Sequence, residues 1–272
     1  MSSARRPWRG YRRGPGSLYR KLKSLQYLAT RDRSAAASFL CDVDLRAADM
    51  SGGSRLRSRF RLLRRFIHIT NHVRGYHTLA EMLEVSQAIL RMSGRADLTV
   101  VEAGAGYGSS TAKLSWAVAE AGGRLLVFDS FRGIPPNDEV HRHLDGRQVV
   151  FRRGAFTGRL AAVRRTIERF GVPEVCEFHK GWFEDTLADF TTPVDIALLD
   201  VDLLSSTQTC LRALYPRLRQ GGAVFSQDGH LEAIVALMRD AEFWASLGVA
   251  KPQIRGLGTA KLLRLNHPSR GA

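Results

Sequence analysis

The sequence predicts a doubly wound, mostly parallel α/β sheet with helices on both faces and an antiparallel edge strand, preceded by a helical N-terminal extension. Three observations carry that expectation. From residue 76 onward, short apolar runs alternate with stretches of helical periodicity, the order that builds a parallel sheet covered on both sides. The run at 98–102 ends in Glu102 and passes into a turn holding Gly104, Gly106 and Gly108, after which helical spacing begins at once. The run at 194–200 is apolar except at Asp195 and Asp200, as suits a strand buried on both faces.

Composition limits what such a chain can be. Its 272 residues suffice for one full core, so it divides most simply into an extension, residues 1–75, and one folded domain, residues 76–272. The net charge is +15, and its placement matters more than its size: residues 1–75 carry 18 Lys or Arg against four acids, and the remainder 23 against 22. A basic tail suits nucleic acid or another anionic partner, and a solvated flank accounts for it equally well. The balanced remainder weighs against a polynucleotide substrate, whose recognition needs positive charge around the site itself. No run approaches the ~20 apolar residues of a membrane span, and the basic N-terminus lacks the apolar stretch of a secretory signal. Cys41, Cys176 and Cys210 form no paired spacing, which points to a reducing compartment, hence the cytoplasm, and away from a zinc ribbon.

In order along the chain, residues 1–16 hold too little apolar content to pack and are expected to be disordered. Leu18, Leu22, Leu25 and Leu28 then fall at near-helical spacing. Residues 49–54, with Gly52 and Gly53, read as a break, and 55–69 as a basic helix with Leu56, Phe60, Leu63, Phe66 and Ile67 on one face. Thr78 and Glu81 fit a capping box that starts a helix running to about Met92, with Gly94 as its stop. The strand at 98–102, the glycine turn, a helix at 110–121 and a second strand ending in Asp129 follow. Residues lacking Cβ let the turn approach a ligand closely, and the helix start offers backbone N–H groups to an anion. Asp129, at the end of the second strand, is placed to meet ribose hydroxyls. The long polar stretch from Phe131 to Phe156 reads as a functional loop, with His141 and His143 as candidate bases. A third strand at 175–178 leads to Gly181, Trp182 and Phe183, suited to the apolar walls of an adenine pocket. The fourth delivers Asp200 and Asp202 to the edge where the glycine turn lies, and the next ends at Asp228. These carboxylates have the hard oxygen chemistry that suits Mg²⁺. His230, two residues beyond Asp228, is a further candidate base. A helix at 230–247 and two extended runs, 253–255 and 261–265, close the domain.

The pattern Glu102-x-Gly104-x-Gly106-x-Gly108 resembles the first motif of class I S-adenosylmethionine (SAM) methyltransferases, a Rossmann-like family. The stretch from Asp129 to Pro135, DSFRGIP, is similar to the DSFxGLP segment of the macrocin O-methyltransferase family. Further segments match in the same order: Gly154 to Gly158, Gly181 to Leu187, Leu199 to Thr207, and Tyr215 to Gly222. The resemblance covers roughly residues 76–265 and leaves out the extension. It implies a SAM-dependent enzyme that methylates a hydroxyl, commonly of a sugar, on a small natural product, with Glu102, Gly104, Gly106, Tyr107, Gly108, Ser109, Asp129, Ser130, Gly181, Trp182 and Phe183 around the cofactor. It also implies a lid over the substrate from 131–156, a cover or interface from 55–69, and a homo-oligomer. In the family, the first aspartate of DxD and two consecutive aspartates after the next strand hold the metal. Asp200 and Asp228 match, while Gln227 stands at the remaining position and supplies no charge, and Ser205 stands where relatives carry an acid. With Mg²⁺, Asp200 or a histidine would take the acceptor proton; without it, His230 is the base. The departures leave three other readings open: a metal-independent N-, C- or O-methyltransferase, an RNA methyltransferase, and a protein of this fold that binds a ligand or catalyses another reaction.

Overall fold

The computed structural model describes residues 33–41 and 52–267, so the expectations for residues 1–16 and for the leucine-spaced segment after them lie outside the described residues. Helix α1 (Arg33–Cys41) and helix α2 (Gly52–His72) come first. The latter begins inside the stretch read as a break at 49–54, because glycines at a helix start cost less than glycines in its interior. Helix α3 (Leu79–Leu90) opens on the expected capping box: the Thr78 hydroxyl accepts from the Glu81 N–H, and the Glu81 carboxylate accepts from the Thr78 N–H.

Strand β1 (Thr99–Ala103), helix α4 (Ser109–Ala121) and strand β2 (Arg124–Asp129) follow, with Gly122 closing α4 at φ 77°. The stretch at 131–156 is more ordered than a loop. It carries an antiparallel hairpin of β3 (His141–Arg142) and β4 (Gln148–Val149). Helix α5 (Leu160–Phe170) leads through a short 3₁₀ turn to β5 (Cys176–Lys180) and the single-turn helix α6 (Phe183–Thr186). Strand β6 (Val194–Leu199), helix α7 (Leu204–Leu214) and strand β7 (Leu218–Ser226) complete the parallel part. The helix expected at 230–247 is two helices, α8 (Glu232–Arg239) and α9 (Ala241–Ser246). They part at Asp240, whose carboxylate accepts from the N–H groups of Glu242 and Phe243 and so starts a new helix. Strands β8 (Ile254–Arg255) and β9 (Leu263–Asn266) end the described chain.

The seven-stranded sheet runs β5-β2-β1-β6-β7-β9-β8. Strands β5, β2, β1, β6 and β7 are parallel, and β9 pairs antiparallel with both β7 and β8. The predicted fold is the observed one. Side-chain alternation sorts the core into two layers: Val100, Leu125, Val127 and Ile196 face α1 to α5, and Val101, Leu126, Ala197 and Leu199 face α7 to α9. From β1 the chain winds outward through β2 to β5, then returns to the other side of β1 as β6. That reversal opens a crevice beyond the carboxyl ends of β1 and β6. Among the described residues no helix is long and apolar enough to cross a membrane. The described cysteines are all free: Cys41 exposed, Cys176 half-buried and Cys210 buried.

Candidate active site

At the crevice β1 ends in a turn that only glycine can make. Gly104 has φ 90°, and a Cβ there would overlap the carbonyl oxygen of Asp200. The backbone is tied to both neighbours, Gly104 N–H to the Phe128 carbonyl and Asp200 N–H to the Ala103 carbonyl, each at 2.9 Å. Asp129 anchors the turn from β2. Its Oδ2 accepts from Ala105 and Gly106 N–H at 2.7 and 3.2 Å, and its Oδ1 accepts from Phe131 N–H at 2.6 Å. Burial raises the Asp129 carboxyl against the pull of those donors. Gly108, at φ 83°, is the N-cap of α4 and offers no side chain to it, so the first N–H groups of the helix are left for an incoming acceptor.

A cavity of about 250 Å³ extends from this turn to the carboxyl ends of β6 and β7. Gly104, Gly106, Tyr107, Ser109, Asp129, Ser130, Gly181, Trp182 and Phe183 line it, as do Asp200, Asp228 and His230. Five residues proposed for the site do not. Glu102 is fully buried under the turn, where burial pushes its carboxyl up to about 8 against the Ser110 and Thr111 hydroxyls. Gly108 shapes the helix start from behind. His141 lies outside the cavity, buried with Nε2 3.0 Å from Glu139 Oε2. His143 also lies outside, its ring centroid 5.0 Å from that of His230. Gln227 is wholly buried, both of its side-chain amide atoms without a hydrogen-bond partner, and it is not among the residues that line the cavity.

The third carboxylate of the cluster is Asp202, as its strand-end position led one to expect, and its backbone is left-handed at φ 62°. Carboxylate oxygens of Asp200, Asp202 and Asp228 lie within 4.8 Å of one another, a donor set whose hardness and spacing fit a divalent cation. Asp228 is fixed by Val201 and Asp202 N–H groups at 3.3 and 3.2 Å from its Oδ2. With three such groups together they cannot all ionise freely. Burial and then Asp228 push Asp202 up to about 8, and burial and then Asp200 push Asp228 up to about 7. Asp200 goes the other way. Burial alone would raise it, but His77, Lys261 and His230 outweigh burial and hold it below the usual carboxylate range. His230 is itself lowered, by burial first and then by Lys261 and His143.

His77 and Lys261 are the residues sequence reasoning missed. His77 comes from the link between α2 and α3, its Nε2 3.2 Å from Asp200 Oδ2 and its side chain 5% exposed. Lys261 comes from the β8–β9 connection, its Nζ donating to the Tyr76 carbonyl at 3.2 Å. Neither belongs to a motif, and only the fold brings them in. The segment after β2 forms the outer wall through Gly133, Ile134, Pro135, Phe151 and Phe156. It is fastened to α7 by Glu139, whose carboxylate accepts from Leu204 and Ser205 N–H at 2.8 and 3.2 Å and from the Ser205 hydroxyl. Burial raises Glu139, yet these donors and His141 more than offset it, so its carboxyl sits low.

The model of the macrocin-O-methyltransferase (TylF) family matches residues 75–254. Over 170 residues the chain is 33% identical to the 8-demethyl-8-(2,3-dimethoxy-alpha-L-rhamnosyl)-tetracenomycin-C 4′-O-methyltransferase of Streptomyces olivaceus, covering 58% of this chain and 63% of the relative. Over 109 residues it is 36% identical to the demethyldecarbamoylnovobiocin O-methyltransferase of Streptomyces niveus, covering 38% and 41%. The matched stretches therefore span less than two thirds of either curated relative. Among solved structures, the O-methyltransferase NovP aligns with TM-score 0.58 at 22% identity over 72% of this chain and 84% of its own. The calicheamicin methyltransferase CalS11 aligns with TM-score 0.55 at 14% identity over 98% and 100%. At these identities the likeness is one of fold.

Proposed function

The chain belongs to the macrocin O-methyltransferase (TylF) family, and from that premise we propose that it transfers the methyl group of SAM to a hydroxyl, most specifically a sugar hydroxyl, of a small natural product. The observation that carries this reading is one cavity joining an uncapped helix start beside a glycine turn to a cluster of three aspartates, Asp228 buried and Asp200 and Asp202 half-buried. The tetracenomycin relative is named for a rhamnosyl 4′-O position, which supports a sugar as acceptor. Cytoplasmic residence and a homo-oligomer belong to the same reading.

SAM supplies an electrophilic methyl on a sulfonium. Backbone N–H groups at the start of α4 would hold its carboxylate, the one lone pair left on Asp129 Oδ1 a ribose hydroxyl, and Trp182 and Phe183 its adenine. At the other end Asp200 accepts the acceptor's proton as the oxygen attacks the methyl in line. The O–CH₃ bond forms, the S–CH₃ bond breaks, and the cofactor leaves as a neutral thioether. His77 keeps Asp200 ionised and oriented for that transfer. Asp200, Asp202 and Asp228 are the residues that would hold Mg²⁺, which when bound lowers the pKa of a coordinated hydroxyl.

The test is incubation with SAM and a panel of deoxysugar-bearing glycosides beside their free aglycones, read by mass spectrometry. A methylated glycoside with stoichiometric S-adenosylhomocysteine, and no reaction of the aglycones, is the expected result. SAM binding without methyl transfer to any hydroxyl, or transfer to RNA, would overturn it.

A further inference from the structure

Helix α4 carries a buried cation one hydroxyl away from the cavity. Lys113 is 2% exposed, and its Nζ donates to the Ser109 hydroxyl, one turn earlier, at 3.2 Å. An ammonium has three donors, yet among the described residues Ser109 is the one partner that meets it and no carboxylate pairs with it. Glu102, buried under the same turn, and Lys113 do not act on one another. Burial alone acts on the lysine and pushes its ammonium down to about 8. An unpaired charge in the interior is destabilising, and an apolar side chain of similar length would fill the space without that penalty. A cation kept in such a place points to an anion that arrives with a ligand.

Ser109 is where the two would meet. It is the first residue of α4, 3% exposed, and it lines the cavity beside the glycine turn. Because its oxygen accepts from Lys113, its own O–H remains to donate. Gly75 lays the link before α3 close over that hydroxyl, since a Cβ there would come within 2.7 Å of Ser109 Oγ, and bulk water is kept from it. Arg74 also lines this end, but it is exposed, its guanidinium carbon 5.3 Å from the Tyr107 ring, so water screens its charge where the interior does not screen that of Lys113. Lys113 belongs to none of the segments that carry the family resemblance.

We propose that Lys113, acting through the Ser109 hydroxyl, is the fixed counter-charge for the α-carboxylate of the methyl donor, so that the cavity selects adenosine sulfonium ions and thioethers with an amino-acid tail over those without one. The charge behind the hydroxyl polarises it and strengthens its bond to a carboxylate. The donor keeps that carboxylate when its methyl leaves, so the contact holds donor and spent product alike and acts on binding and not on the chemical step. Lys113 is a positioning residue here, since Ser109 stands between it and the ligand.

The proposal rests on the reading of the cavity as a SAM site. The full chain and its Lys113→Met variant are titrated by calorimetry with S-adenosylhomocysteine, which carries the carboxylate, and with 5′-methylthioadenosine, which lacks the amino-acid tail. The Met variant is expected to bind the first about tenfold or more weakly than wild type and the second within about twofold of it. Steady-state turnover should show the KM for SAM raised by a similar factor with kcat little changed. Lys113→Gln, uncharged as well, is expected to give the same result and is read in its place if the Met variant does not fold. Unchanged affinity for S-adenosylhomocysteine, or an equal loss for both nucleosides, would overturn the proposal. Wild type that binds neither nucleoside would instead count against the methyltransferase reading.

Discussion

Strand β6 carries a carboxylate at each end, and the two are kept in opposite circumstances. At its start Asp195 is fully buried and fully answered. Oδ1 meets Arg95 at 2.6 Å, while Oδ2 meets Arg219 at 3.1 Å and accepts from Thr99 N–H at 2.8 Å. Beyond its end, Asp200 shares a small space with Asp202 and Asp228, and among the described residues the basic groups acting on these three are His77, His230 and Lys261. A charge matched on every side fastens the sheet. A cluster whose carboxylates outnumber their basic partners has capacity to take a proton or a cation, here at Asp202 and Asp228.

The comparison can be broken most sharply at its structural end. Asp195→Ala leaves two partly exposed guanidinium groups and the buried Thr99 N–H without their carboxylate and should cost about 1–3 kcal/mol in chemical denaturation, with kcat per folded molecule unchanged. The reverse pattern is expected of Asp200→Asn. Its kcat should fall by about 10²–10⁴-fold, while SAM affinity by calorimetry and the denaturation midpoint stay close to wild type. If Asp195→Ala lowered kcat per folded molecule, or Asp200→Asn lowered stability as much as Asp195→Ala, the division between the two ends would not hold.

A smaller effect sharpens the contrast through pH. Asp202 and Asp228 are raised when folded, so the folded state binds more protons than the unfolded chain between about pH 4 and 8, and stability from these groups falls as pH rises through that window. Asp202→Asn, which asparagine's tolerance of the left-handed region permits, should therefore raise stability by roughly 1–2 kcal/mol at pH 8 and by little at pH 4. Thermal melts at the two pH values check this, and a gain equal at both would contradict it. The smallest effect concerns the wall. Glu139→Ala removes the carboxylate at the start of α7 and should cost about 1 kcal/mol. It should also raise KM for the acceptor several-fold, leaving SAM affinity alone. Because Glu139 is lowered in the folded state, its contribution persists at neutral pH and is lost only on acidification below the ordinary carboxylate range.

What could be read in advance follows the same division. The glycine turn, Asp129 and the strand-end aspartates were legible because each is required by geometry next to it in sequence: a positive φ at Gly104, a strand end at Asp129, an apolar run before Asp200. Most of the residues read from these patterns therefore line the cavity. The acceptor side depends on encounters between distant segments. His77 and Lys261 arrive from opposite ends of the domain, with no spacing rule to link them to Asp200. The grouping of Asp200, Asp202 and Asp228 was legible from their strand ends, while Gln227, offered by the family pattern, is not among the residues that line the cavity. Helix α5 was passed over although Val163 and Ile167 form its buried stripe, since arginines crowd its other positions.

The segment from Phe131 to Gly158 is attached at both ends of the cavity. Glu139 fastens it to α7 beside Ser206 and the aspartates, while Gly158 is pressed against the Gly106 carbonyl in the glycine turn. Both compartments thus share one door. On the proposed reading donor and acceptor pass the same strap, so their exchange is linked.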